Sequence, residues 1–154
     1  MKGIKLESIG YVVTKAVGRE VRDRSNISKI VLIPDLVEAL EGLEDFSHIF
    51  VIFWMHEIVG ENRRMTKVHP RGRREIPRIG IFGTRTPFRR NPIGLTLVEL
   101  LEVKENILVV RGLDAFNNTP VLDIKPFDPW DVVEDAKVPE WWMRLERERS
   151  RKTS

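Results

Sequence analysis

Seven consecutive apolar residues, Ile49-Phe-Val-Ile-Phe-Trp-Met55, form the longest uninterrupted apolar run of the chain. It falls far short of the ~20 residues that cross a bilayer, and it is too brief and too β-prone for a typical buried helix. It predicts a central strand covered on both faces. Further β-prone runs are Ile4 to Thr14, Lys29 to Ile33, Ile79 to Thr84, Leu95 to Lys104, Ile107 to Leu113 and Val121 to Ile124, separated by polar or Gly/Pro/Asn segments such as the loop Gly18 to Ser28. Glu105-Asn106 predicts a hairpin between two of them, although Leu95 to Lys104 also fits a helical period. Two helices are expected. Pro34 opens a short one with Leu36, Val37 and Leu40 on one face before Gly42, and Pro139 opens another reaching Lys152, with Trp142 and Leu145 on one face. Short strands with few helices predict a mainly β domain, a small barrel, rather than an alternating α/β sheet.

At 154 residues, 42% apolar and 32% charged, the chain suits one hydrophobic core, and it is read as a single domain over residues 1–154. Its amino terminus lacks a basic segment followed by an apolar stretch, so neither export nor membrane insertion is expected. Cysteine is absent, which excludes disulfides, thiolate metal sites and a cysteine nucleophile. With only His48, His56 and His69 available, no metal centre is expected. Glutamine is absent too while Arg, Lys and Glu abound, a bias of proteins from hot environments.

Charge is strongly segregated. Between Glu61 and Pro92 ten Lys or Arg stand against two acids, a local +8 that leaves −5 on the remainder of a chain whose total is +3. Such a cationic segment on an acidic body is the footprint of a polyanion partner, or else a solvated basic loop. Gly60 to Ile79 shows no apolar periodicity and contains Pro70, Gly72 and Pro77, which predicts a long mobile loop close to the function.

Familiar catalytic signatures are missing: no G-x-G-x-x-G turn, no phosphate-binding G-x-x-x-x-G-K-[ST] loop and no G-x-S-x-G elbow. What stands out is Gly80-Ile-Phe-Gly-Thr-Arg-Thr-Pro-Phe-Arg-Arg-Asn-Pro-Ile-Gly-Leu95 and Asn117-Asn-Thr-Pro-Val-Leu-Asp-Ile-Lys-Pro-Phe127. In each a short strand meets a turn carrying polar side chains, the way binding pockets are commonly built. These segments, with DFSHIFVIFWMH and HPRG, resemble the TsaA-like (YaeB/VirR, TrmO) family of S-adenosylmethionine-dependent tRNA methyltransferases, over about Ile4 to Pro129.

The resemblance implies a single-sheet β-barrel that dimerises, S-adenosylmethionine as cofactor, and methylation of the exocyclic N6 of threonylcarbamoyl-adenosine beside the anticodon of a tRNA. Carried onto this chain, the implied cofactor contacts are His56, Glu57, Arg85, Leu95, Asn117, Asn118, Thr119 and Pro120. Three departures stand out. The loop Gly18 to Ser28 lacks the family's P-R-Q stretch; Asn118 replaces the Gly of D-G-T-P; Arg90 replaces the Pro of F-R-P-N-P. Asn tolerates the left-handed backbone conformation, so the Asn118 turn is expected to survive. The chain also ends soon after the last signature, where longer bacterial members continue.

An aromatic amine donates its lone pair into the ring, so transfer to it needs a partner for its proton. Asp123 is the candidate base, with Lys125 beside it. Arg71, Arg73, Arg74, Arg89 and Asn91 are the candidate tRNA contacts, Arg being suited to a bidentate grip on phosphate. Each has a plainer reading. His56 is equally a hydrogen-bonded core histidine, Asp123 and Lys125 a structural ion pair, Asn91-Pro92 a turn, and Trp141 and Trp142 core or dimer anchors. The expectation is a cytoplasmic homodimeric methyltransferase acting on a tRNA anticodon loop, without metal or membrane. Its rivals are a non-catalytic RNA-binding barrel and a methyltransferase for a small molecule or protein.

Overall fold

The structure, a computed structural model, describes residues 3–153. Its strands are β1 (Gly10–Val13), β2 (Ile27–Leu32), β3 (His48–Trp54), β4 (Lys67–Val68), β5 (Ile79–Gly80), β6 (Ile93–Lys104), β7 (Ile107–Arg111) and β8 (Pro120–Pro126), followed by the helix α1 (Glu140–Thr153). All but β4 and β5 close into one antiparallel barrel in the order β1-β2-β7-β6-β3-β8, as the mainly β expectation required.

Alternation fills the barrel. Val12, Ile30, Ile49, Val51, Leu108, Val110 and Val121 point inward and are wholly buried. In β3 the inward residues are Ile49, Val51 and Phe53, while His48, Phe50, Ile52 and Trp54 are only half-buried on the outside. The expectation that this strand is covered on both faces is therefore corrected, because a barrel wall has one interior. Phe53 lies opposite Gly94 of β6, and a Cβ on Gly94 would come within 2.2 Å of the Phe53 ring. The glycine of Pro-Ile-Gly is where an aromatic ring crosses the neighbouring backbone.

Local expectations hold to different degrees. The hairpin forms as β6 and β7, with Glu105 at φ 52° in its turn, and the helical alternative for its first arm does not. β1 is shorter than Ile4 to Thr14, since its pairing with β8 ends at Gly10 opposite Val121, and Ile4 and Leu6 lie exposed. Pro34–Leu40 is a 3-10 helix burying Leu40, with Leu36 half-buried and Val37 exposed. The strand expected over Ile79 to Thr84 stops at Gly80, where a 3-10 turn, Ile81–Gly83, takes over.

The segment expected to be a long mobile loop is instead built. The hairpin β4–β5 and 3-10 turns at Gly60–Arg64 and Pro70–Gly72 give it shape, and Val68, Pro70 and Ile76 are buried outside the barrel core. His69 Nδ1 donates to the Ile76 carbonyl at 2.7 Å, closing the loop between them. α1 lies on this excursion with Leu145 buried, so its apolar partners come from across the chain and carry no local period.

Candidate functional site at the barrel rim

One rim of the barrel gathers His56, Glu57, Asn91 and the turn Asn117 to Pro120. At the end of β3, the Met55 N–H bonds the Pro92 carbonyl at 2.8 Å, so His56 and Glu57 emerge beside Asn91 and the start of β6. On the other flank, Phe53 pairs with Val121, so the turn Asn117-Asn118-Thr119-Pro120 opens at the same rim. That turn is fixed to β1: Asn118 N–H donates to Val12 O at 2.8 Å, Val12 N–H to Thr119 O at 3.0 Å, and Thr14 N–H to Asn117 Oδ1 at 3.1 Å. Asn118 has φ 62°, the left-handed conformation the motif needs, and Thr119 is buried.

Beside this rim β6 is paired on one side only. Its ladder with β7 begins at Glu99, while its ladder with β3 starts at Ile93. The bonds Met55 N–H to Pro92 O and Leu100 N–H to Ser47 O, both 2.8 Å, set the alternation. Even-numbered residues of this half point their backbone groups at β3, and Ile93, Leu95 and Leu97 point theirs at the open side. Ile93 N–H bonds Asn91 O at 2.7 Å, and the Leu97 carbonyl accepts from Arg24 Nη1 at 3.4 Å. Among the described residues, no partner lies across from the Leu95 N–H and C=O. The Leu95 side chain is exposed and aligned by register with Ile52 and then Asp123, a row on the outer wall. With strands spaced about 4.8 Å, the backbones of Leu95 and Asp123 stand about 10 Å apart.

Asp123 and Lys125 form the ion pair that the plainer reading allowed, at 2.8 Å, with 47% and 62% of their side chains exposed. Asp123 Oδ1 also accepts from the Ile124 N–H at 2.9 Å, fixing the carboxylate against its own strand. A β-bulge in β8 near Asp123, where the pairing with β3 slips between Ile52 and Phe53, turns both side chains outward. Glu57 and Arg85 are exposed, and His56 is half-buried.

The cationic residues divide. Arg71 is ion-paired with Glu146 of α1 and lies over the Trp142 ring at 5.8 Å. Arg73 binds Glu75 and, at 2.7 Å, Glu148. Hydrogen bonds from Arg73 hold the Glu148 carboxyl below the ordinary range, and the Arg71 bond does the same for Glu146. Trp141 and Trp142 are half-buried against each other, centroids 5.5 Å apart, which favours the anchoring reading for both. Arg89 Nη1 donates to the carbonyls of Thr84 (2.9 Å) and Thr86 (3.3 Å), tying its own loop. Arg64, Lys67, Arg74, Arg85 and Arg90 are exposed and carry no side-chain partner among the described residues. A cleft of about 230 Å³ between Glu75–Pro77 and the first turn of α1 is lined by Trp141 but by none of the candidate cofactor, catalytic or tRNA residues.

Sequence reading missed the open β6 edge, since nothing in Ile93–Val98 announces where β7 leaves. It also missed Arg63, whose guanidinium lies over the Trp54 ring at 5.3 Å while bonding the Arg90 carbonyl at 2.7 Å. Among the described residues, no group of three metal-ligating side chains converges and no helix is long and apolar enough to cross a membrane.

The barrel closes as a single sheet, and at one rim an unpaired strand edge and two polar turns meet beside a cationic arm. The chain belongs to the family of the tRNA-methyltransferase O N-terminal domain, whose model matches residues 12–131. A probable S-adenosyl-L-methionine-binding protein of Methanothermobacter thermautotrophicus is 51% identical over 106 residues, 69% of this chain and 73% of that one. The tRNA (adenine(37)-N6)-methyltransferase of Escherichia coli is 43% identical over 97 residues, 60% of this chain and 41% of that one. A crystal structure of TrmO from Pseudomonas aeruginosa superposes with TM-score 0.72 at 30% identity, covering 88% of this chain and 61% of that one. The chain thus spans less than two thirds of that solved structure.

The family is S-adenosylmethionine-dependent, and the rim fits that cofactor. Among the described residues His56 Nδ1 is buried without a hydrogen-bond partner, which costs about 1–3 kcal/mol unless a ligand or water meets it. The adjacent N–H and C=O of Leu95 match an acceptor beside an amino donor, the pattern on an adenine edge.

Proposed function

We propose that this protein transfers a methyl group from S-adenosylmethionine to the exocyclic N6 of adenosine in tRNA, the substrate being threonylcarbamoyl-adenosine next to the anticodon. The observation that carries the reading is the pairing of the unsatisfied rim, His56 Nδ1 and the Leu95 backbone, with the cationic arm leading into the same strand. The two supply separate needs, hydrogen-bonding groups for a nucleoside and a polyanion grip.

In this reading His56 and Leu95 hold the cofactor with the backbone of Asn117 to Pro120. The carboxylate of Glu57 accepts from its amino or hydroxyl groups, and Arg85 offers cationic donors. The bound sulfonium supplies an electrophilic methyl group. Asp123 accepts the proton of the attacking amine, and Lys125 orients that carboxylate. Arg64, Arg74 and Arg90, without side-chain partners among the described residues, hold tRNA phosphates; Asn91 lies at the rim where the base enters. Arg71, Arg73 and Arg89 contribute through the shape of the arm, each committing part of its guanidinium within the chain. Exposed apolar side chains on the outer wall, Ile93 and Leu95 among them, support a homodimer, and the tRNA substrate supports a cytoplasmic setting.

Calorimetry with S-adenosylmethionine and methyl transfer to tRNA with or without the threonylcarbamoyl group test this. We expect cofactor binding, turnover only on the modified tRNA, and loss of turnover with retained cofactor affinity in Asp123→Asn. Cofactor binding without transfer to any tRNA overturns the substrate; absence of cofactor binding by folded protein overturns the whole reading. A protein or small-molecule acceptor would leave turnover indifferent to Arg74→Ala.

A further inference from the structure

We propose that Phe82, with the Arg89 guanidinium lying over its ring, is a stacking platform for an unpaired base of the RNA. This rests on the tRNA reading above and adds to it a contact that carries no phosphate charge. Phe82 occupies the middle of the 3-10 turn Ile81–Gly83 and is 88% exposed, while Ile81 before it and Thr84 just past the turn are buried. The turn is firmly seated. Ile81 N–H bonds the Thr66 carbonyl at 3.0 Å, and Thr84 gives both its N–H (3.1 Å) and its hydroxyl (2.8 Å) to the Ile81 carbonyl. A ring held out to water by a turn whose neighbours are buried is presented, not left over.

Arg89 completes the platform. Its guanidinium stands 5.8 Å from the Phe82 centroid, and its Nη1 is committed to the Thr84 and Thr86 carbonyls. It therefore acts as a fixed planar cation beside the ring. Exposed Arg85 and Arg90 flank it in sequence without partners among the described residues. An aromatic face set among cations is how proteins take single-stranded nucleic acid: bases stack on the ring while the charges track the backbone. A protein partner is less well matched. A self-complementary contact centred on Phe82 would bring Arg85, Arg89 and Arg90 of two copies together, like charge against like.

The test compares wild type, Phe82→Ala, Phe82→Trp and Arg90→Ala for binding to a tRNA anticodon stem-loop across a salt series, with thermal melting as the folding control. Phe82→Ala is expected to lose about tenfold in affinity or more with an unchanged salt slope, and Phe82→Trp to keep affinity with its fluorescence quenched by RNA. Arg90→Ala is expected to reduce the slope by about one. Wild-type affinity in Phe82→Ala, or tryptophan emission unmoved by bound RNA, overturns the platform alone. So does a Phe82→Ala protein that binds RNA normally but self-associates less in sedimentation, which would mark a protein contact. If the wild-type protein fails to bind the stem-loop even at low salt, the tRNA reading falls and the platform with it.

Discussion

The barrel and the arm between β3 and β6 hold their shapes by different physics. In the barrel, side chains from six strands meet in one buried interior, and Val12, Ile30, Ile49 and Val51 retain no exposure. In the arm, a few buried residues are supplemented by backbone turns and by the charged pairs of Arg71 and Arg73 with α1. Exclusion of water is largely indifferent to salt and mild acid, whereas exposed ion pairs depend on both. The rim site lies where a rigid scaffold meets an electrostatically tuned extension.

The sharpest way to break this contrast is to hollow the barrel. Ile49→Ala should cost about 2–5 kcal/mol by leaving a cavity, lowering the denaturation midpoint of the whole protein, while Ile76→Ala in the arm should loosen α1 and leave the barrel's midpoint nearly unchanged. Equal global effects would erase the distinction. Next in size, Gly94→Ala should cost about 1–3 kcal/mol, because the new methyl meets the Phe53 ring; the companion Phe53→Leu should recover part of it. Additive losses in the double variant would show that the ring is not the obstacle.

Smaller again, Asn118→Val should cost about 1–2 kcal/mol and weaken cofactor binding, whereas Asn118→Gly should be near neutral, since only the left-handed backbone at φ 62° is required. Equal stability of the two in denaturant titrations would dismiss that strain. The smallest effect sharpens the comparison by pH. Hydrogen bonds from Arg73 and Arg71 lower the folded-state pKa of Glu148 and Glu146. Hydrogen bonding from its own backbone, then from Arg73, lowers Glu75. Groups depressed in the folded state stabilise it fully above their ordinary value, about 4.3 for Glu, and lose that contribution as pH falls through the depressed one. Amide NMR signals of α1 should therefore lose dispersion below about pH 4, before those of β3 and β6 do, and added salt should act in the same direction. Simultaneous loss along the chain would mean that these ion pairs do not hold α1.

Much of the architecture was legible in the residues. β-prone runs cut by Pro, Gly and Asn marked most strands, Glu105-Asn106 marked the hairpin, and Pro139 marked the start of the terminal helix. The motif glycines and asparagines marked the turns of the rim, and Asn118 adopts the backbone conformation expected of it. The arm was not legible as structure, because its buried Val68, Pro70 and Ile76 follow no period and Leu145 of α1 lies far along the chain. Nor did +8 between Glu61 and Pro92 reveal that Arg71 and Arg73 spend their charge on glutamates more than seventy residues away. For Asp123 and Lys125, spacing suggested a shared face. Which face depended on a bulge that only pairing with β3 creates.

By itself, then, the sequence determined the strand-forming tendency, the turn chemistry and the imbalance of charge, all of which depend on neighbours within a few residues. Only the tertiary structure decided that β7 departs from β6 at Glu99, that Leu95 and the His56 Nδ1 find no partner among the described residues, and that Phe82 stands in water. Each of these is an unmet contact, and a contact is missing or made only once distant segments have taken their places.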